Sequence, residues 1–228
     1  MLYNNIYKGI FKSRPNRFIA EVEVNGVVET CHVKNTGRCR ELLIPGATVY
    51  VNYVDNPSRS TQYDLIAVEK GIVLINIDSY APNLAFGEYL RQEKFLELGN
   101  ICSVKPEAKY GNSRFDFFIE AAKCKAFIEV KGVTLEEDGV AMFPDAPTER
   151  GVKHLNKLAS CIAEGYDAYV IFIIQMKGVT HFTPNYKIHA KFGETLAKVI
   201  DLGVKVRAFD CTVTSGEMVI DSPIQIKL

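Results

Sequence analysis

The sequence predicts a mixed α/β protein in two parts, a small OB-like β-barrel over residues 1–80 and an α/β domain over residues 81–228. Three observations predict it. Short apolar runs broken by turn signals fill the first part. Helical spacing begins abruptly after Ser79-Tyr80-Ala81-Pro82-Asn83. Strand-like and helix-like segments then alternate to the C-terminus, the pattern of an α/β layer structure.

In the first part, Phe18 to Val24, Val27 to Val33, Thr48 to Tyr53, Tyr63 to Glu69 and Ile72 to Ile77 read as strands, the first two joined by the Asn25-Gly26 hairpin signal. Five short strands suit a partly open Greek-key barrel. In the second part, Leu84, Phe86, Leu90, Phe95 and Leu98, stopped by Gly99, predict a helix from Asn83 to Leu98. Two strands follow, Phe115 to Glu120 and Lys125 to Gly132, turning near Ala122 and Lys123. Beyond the loop Asp145-Ala146-Pro147, a helix runs from about Thr148 to Glu164 with Val152, Leu155, Leu158, Ala159 and Ile162 on one side. A buried strand from Tyr169 to Ile174, a helix from about Lys191 to Leu202 and a strand from Val204 to Phe209 complete the reading.

Composition narrows the function classes. With 228 residues, 47% hydrophobic and 24% charged, the chain is neither disordered nor fibrous. Its longest apolar run, Ala168 to Ile174, is too short for a bilayer, and Met1 to Asn5 lacks the order of a signal peptide, so a cytoplasmic protein with no membrane partner is expected. Six cysteines without a CxxC pair exclude a zinc ribbon and a disulfide framework, and read as buried thiols. A net charge of zero means that any polyanion is held by local patches. Three are visible: Lys8, Lys12, Arg14 and Arg17; Lys34, Arg38 and Arg40; and Lys177, Lys187 and Lys191.

The chemistry concentrates on the two strands after residue 113. If they pair as a hairpin, period two sets Asp116 opposite Glu129, with Lys131 on the same face. Two facing carboxylates repel, and a hard divalent cation, Mg²⁺ or Mn²⁺, relieves the repulsion. Lys131 would orient an attacking water, so the catalytic candidates are Asp116, Glu129 and Lys131. A third metal carboxylate is left open between Glu88 and Glu93 on the preceding helix, with Glu107 as a further option. Phe115, Phe117, Ile119, Ile128 and Val130 are expected on the covered face, with Phe118 and Phe127 flanking the charges. The alternative is an exposed hairpin carrying ordinary surface charges. The stretch Phe143 to Leu155 reads as a stiff loop entering a helix, with Arg150, Lys153 and His154 in its first turns, placed for phosphate at a helix N-terminus. Gln175, ending the buried strand, either points into the same cleft or is a structural amide.

Two resemblances follow from these residues. Asp116 with Glu129-Val130-Lys131 resembles the PD-(D/E)xK nuclease superfamily. His32-Val33-Lys34-Asn35-Thr36-Gly37-Arg38, Gly111-Asn112-Ser113-Arg114-Phe115-Asp116-Phe117 and Phe143 to Leu155 resemble the sugar fermentation stimulation protein A family over nearly the whole chain. That resemblance implies a nuclease-like C-terminal domain and binding of DNA, its form unspecified, linked to regulation of sugar, particularly maltose, utilisation. Lys187 to Lys191 departs from the family pattern, which leads one to expect an acidic residue near His189. The nucleic-acid candidates are then Arg14, Arg17, Lys34, Asn35, Arg38, Arg114, Arg150, Lys153 and His154. A metal-dependent nuclease, a non-cleaving DNA-binding regulator and a protein acting directly on sugar are the three functional readings.

Overall fold

The computed structural model describes residues 1–35 and 37–228. The first six strands are β1 (Ile6–Asn16), β2 (Ile19–Val24), β3 (Val27–Val33), β4 (Thr48–Tyr53), β5 (Tyr63–Lys70) and β6 (Val73–Asn76). They are ordered β3-β2-β1-β4-β5-β6, and a parallel β3–β5 pairing closes the first five into an OB-like barrel. The sequence reading counted five strands but not these five: β1 was missed, and its fifth strand is β6, which lies outside the ring on β5. β1 escapes because Lys8, Lys12, Arg14 and Pro15 break up its apolar alternation. Gly9 is required at its centre, since a Cβ there would stand 2.5 Å from Val22 Cγ1 and 2.8 Å from the Glu23 carbonyl oxygen.

The second part opens with α1 (Ala81–Arg91), then β7 (Ile101–Tyr110), β8 (Ser113–Ala121), β9 (Lys125–Val133), β10 (Leu135–Glu137) and β11 (Val140–Phe143). It continues through α2 (Glu149–Ala163), β12 (Asp167–Ile174), β13 (His181–Pro184), α3 (Tyr186–Asp201), β14 (Lys205–Val213) and β15 (Met218–Pro223). The main sheet runs β15-β14-β12-β9-β8-β7, with β12 parallel to both β9 and β14. β12 sits at its centre, and period two sends Val170, Phe172 and Ile174 to one core and Tyr169, Ile171 and Ile173 to the other. α1 covers the second core with Ala81, Ala85, Phe86 and Leu90. α2 and α3 cover the first with Val152, Leu155, Leu158, Phe192, Leu196 and Val199. Each such apolar side chain contributes about 1.5–3 kcal/mol by burial. α2 is capped by Thr148, whose Oγ1 accepts the Gly151 N–H at 3.0 Å.

Three departures from the predicted elements have physical causes. The helix predicted to reach Leu98 ends at Arg91, because Glu93 takes φ 56° and lets Phe95 turn back onto Tyr169 and Phe209. β7 was missed because it is a mostly exposed edge strand carrying Pro106, where pairing on one side suffices. α3 begins earlier than predicted, but its backbone breaks at His189 (φ −153°, ψ 81°), just before the predicted start.

Candidate functional site

The β8–β9 ladder runs from Glu120↔Lys125 to Phe117↔Ile128 and then stops. Continuing that register sets Asp116 opposite Glu129, as the spacing predicts. The strands separate there, and the Asp116 side chain takes over from the backbone: its Oδ2 accepts the Val130 N–H at 2.7 Å. Its Oδ1 accepts from Asn83 Nδ2 at 2.7 Å, in the first turn of α1. Across β7 the matching residue is Glu107, with φ 51°. At this point strand alternation slips. Phe115, expected beside Phe117, instead packs on Phe127 and against the His154 ring.

Glu129 is 4% exposed, and its Oε1 accepts from Lys131 Nζ and from His154 Nδ1, the latter at 2.6 Å. A carboxylate only accepts, so His154 Nδ1 carries the hydrogen. Burial opposes ionisation of Glu129, but the Lys131 ammonium and the His154 bond outweigh it and hold the carboxyl below its usual range. Asp116 is the converse: burial, then the Glu129 charge, pushes it up to about 6. The pair is thus electrostatically unfinished. Glu129 Oε2 takes no hydrogen bond from a described residue, and two close carboxylates of this kind fit a hard, oxygen-ligated cation.

The structure does not bring the proposed third carboxylates to this pair. Glu88 is held by the Met1 ammonium, which also donates to the Met218 carbonyl on β15. Glu93 lies exposed beyond the end of α1, and Glu107 is exposed with Arg114 Nη1 at 3.5 Å. Among the described residues, no three His, Cys, Asp or Glu side chains converge to hold a metal.

Two basic clefts stand out, one reaching this site through His154 and one on the barrel. One, of about 500 Å³, is bounded by Lys109, Arg114, Arg150, Lys153, the Gly111-Asn112-Ser113 turn and His154. The other, of about 320 Å³ on the barrel, is bounded by Arg14, Arg17, Arg38 and Arg40. Arg17 lies 4.6 Å over the exposed Phe18 ring, a pairing suited to stacking a base.

Several predicted contacts have other work. Arg14 donates to the carbonyls of Arg17, Asn35, Gly37 and Arg38, so its guanidinium builds the loop instead of facing a ligand. Lys34 Nζ lies 3.1 Å from Asp64 and 3.2 Å from Asp78, neutralising two buried carboxylates. His154 is 8% exposed and serves Glu129 first. Lys177 pairs with Asp210 and Asp221, and Lys191 with Glu149, which takes two of the three lysines of that patch. Thr36, part of the loop motif, lies outside the described residues. Sequence reasoning missed Asn83, 33 residues before its partner and without a local signal, and Lys109, which the Gly111-Asn112 turn could have flagged.

Comparison with known proteins covers both domains. A model described as the sugar fermentation stimulation protein RE domain matches residues 80–217, and one described as the SfsA N-terminal OB domain matches residues 13–77. A sugar fermentation stimulation protein homolog of Desulfitobacterium hafniense is 57% identical over 228 residues, covering 100% of this chain and 99% of that protein. One from Clostridium beijerinckii is 55% identical, covering 100% of both. A solved structure described as Pyrococcus furiosus SfsA in complex with Ca²⁺ superposes with a TM-score of 0.92 at 30% identity, covering 100% of this chain and 98% of that one.

Proposed function

We propose, for a chain that belongs to the sugar fermentation stimulation protein family, that it binds DNA and cleaves phosphodiester bonds at Asp116, Glu129 and Lys131 with Mg²⁺ or Mn²⁺. The observation that carries this reading is the splayed end of β8–β9, where a carboxyl pushed up to about 6 stands beside an ionised one and an ammonium. The relative described as a Ca²⁺ complex supports it, because Ca²⁺ draws on the same hard oxygen ligands as Mg²⁺.

Asp116 and Glu129 are the residues that would hold the cation, which when bound supplies Lewis acidity at a phosphate oxygen. Asn83 and the Val130 N–H fix the Asp116 carboxylate, and His154 fixes Glu129. Lys131, which contacts Glu129 Oε1, would orient the attacking water and offset the charge that grows on the phosphoryl group. Arg114, Arg150, Lys153 and Lys109 take flanking phosphates in the adjoining cleft, while Arg17 and Arg38 hold the strand on the barrel.

End-labelled duplex, single-stranded and branched DNA, and RNA, incubated with Mn²⁺ or with chelator, test the reading. Metal-dependent cutting lost in both Asp116→Ala and Lys131→Ala is expected. A second reading, a DNA-binding regulator that cuts nothing, has its own support in the absence of a third converging carboxylate among the described residues. Binding without cutting on every substrate selects it.

A further inference from the structure

Between the barrel and the main sheet lies a third cavity, which meets the barrel cleft at Gly37. Its volume is about 170 Å³, below the roughly 300–1,000 Å³ of pockets for drug-sized ligands, so it suits a single ring system. β9 leads into it, since Gly132, the residue after Lys131, forms part of its wall.

Two of the polar groups in its walls are fixed in orientation. Gln175 is 1% exposed, and its Nε2 donates to the Asn76 carbonyl at 3.0 Å, to Asn76 Oδ1 at 3.1 Å and to the Asp78 carbonyl at 3.1 Å. That network sets the amide, and no described residue donates to its Oε1. Asn35 is set the opposite way: its Oδ1 accepts the Gly37 N–H at 2.7 Å, leaving Nδ2 as a donor with no described acceptor. Asp145 is half-buried and makes neither an ion pair nor a hydrogen bond with a described residue. Met142 and Phe143 give apolar walls. Two glycines give these oxygens their places, because a Cβ at Gly132 would stand 2.5 Å from Gln175 Oε1 and one at Gly37 2.3 Å from Asp145 Oδ2.

We propose that this cavity binds a guanine base. One donor, Asn35 Nδ2, and two acceptors, Gln175 Oε1 and the Asp145 carboxylate, complement the guanine pairing edge, which offers the O6 acceptor and the N1–H and N2–H donors. Adenine, cytosine and thymine each lack one of those adjacent donors and leave an acceptor of the cavity unpaired, which discriminates far more strongly than a shape mismatch. The base belongs to a nucleic-acid strand, a step that rests on the phosphodiester reading of the Asp116 site; the cavity itself does not depend on it.

The test is made in chelator, so that it stands whether or not the protein cuts DNA. Saturation-transfer NMR and calorimetry compare deoxyguanosine with deoxyadenosine, deoxycytidine and thymidine, and GMP with an oligothymidine containing one guanine. Deoxyguanosine is expected to bind about tenfold tighter than the other nucleosides, and the guanine-containing strand tighter than GMP. Asp145→Asn, which replaces an acceptor by a donor, and Asp145→Ala both lose the preference. Both retain the wild-type melting temperature, since Asp145 supports no described partner. Equal binding of the nucleosides, no binding, or an unchanged preference in both variants overturns the proposal. Equal affinity for GMP and the strand overturns the nucleic-acid assignment.

Discussion

Arginines that look alike in sequence divide sharply by what their guanidinium meets. Arg14 is committed to four backbone carbonyls of the barrel loop, whereas the exposed Arg38 side chain bounds an open cleft. Arg14→Ala therefore lowers unfolding free energy by about 1–2 kcal/mol in urea titration, because the part-buried Asn35 and Gly37 carbonyls and the exposed Arg17 and Arg38 carbonyls lose a charged donor. Arg38→Ala leaves that value within about 0.5 kcal/mol of wild type and weakens DNA binding instead. The same logic separates His154 from the lysine beside it. His154 touches Glu129, so in the proposed reading it is a positioning residue, and His154→Ala is expected to weaken Mn²⁺ binding by about tenfold or more. His154→Asn, which keeps a donor on that side, recovers part of the affinity; if both variants bind Mn²⁺ as wild type does, the Glu129 contact is merely structural.

Strands reveal themselves when one face is buried and hide when charges or edges interrupt the alternation. β8 and β9 were legible because short apolar runs, Phe117 to Ile119 and Ala126 to Ile128, are each bounded by charged residues, Asp116 and Glu120 on one and Lys125 and Glu129 on the other, and that register alone set Asp116 against Glu129. β1 carries its cations on a twisted, bulged strand, and β7 is a solvated edge, so neither shows the period that its backbone follows. The slip that turns Phe115 to the opposite core depends on the left-handed Glu107 across the strand pair, a tertiary feature with no local mark. β1 can nevertheless be tested as an element. Gly9→Ala presses a methyl onto Val22 and the Glu23 carbonyl and costs about 1–3 kcal/mol, read as a lower midpoint in urea, whereas the same change at Gly26, with open space around it, produces no clash and only the strain of its positive φ.

The two domains are joined by charge as well as by chain, since Lys70 of β5 pairs with Glu136 of β10 at 2.6 Å, and charge also sets how the molecule meets acid and how the proposed DNA would be held. Within the barrel part Lys34 bridges Asp64 and Asp78, and Arg59 also holds Asp64. Burial alone would raise the Asp64 carboxyl, but Arg59 and Lys34 outweigh it and hold it below 3.8. A lowered acid contributes stability above the unfolded value and loses it as pH falls through the folded one, so the wild type loses stability in that acid window and Asp64→Asn shows a flatter limb there. Lys34, raised above 10.5 because the same carboxylates outweigh its burial, loses its contribution only as pH climbs past that value. With these cations neutralised internally and a net charge of zero, the molecule has no general field to draw in a polyanion, so the proposed DNA affinity rests on the clefts. The cleft beside Glu129 carries Lys109, Arg114, Arg150 and Lys153 without an acidic residue in its wall. Each phosphate contact adds about 0.9 to the slope of log affinity against log salt for duplex DNA, and about 0.7 for a single strand. Replacing Arg150 and Lys153 together by Ala should therefore flatten that slope by about 1.8 or about 1.4, the value itself reporting which form of DNA occupies the cleft. A slope that stays unchanged would remove α2 from the interface and leave the barrel to hold the strand alone.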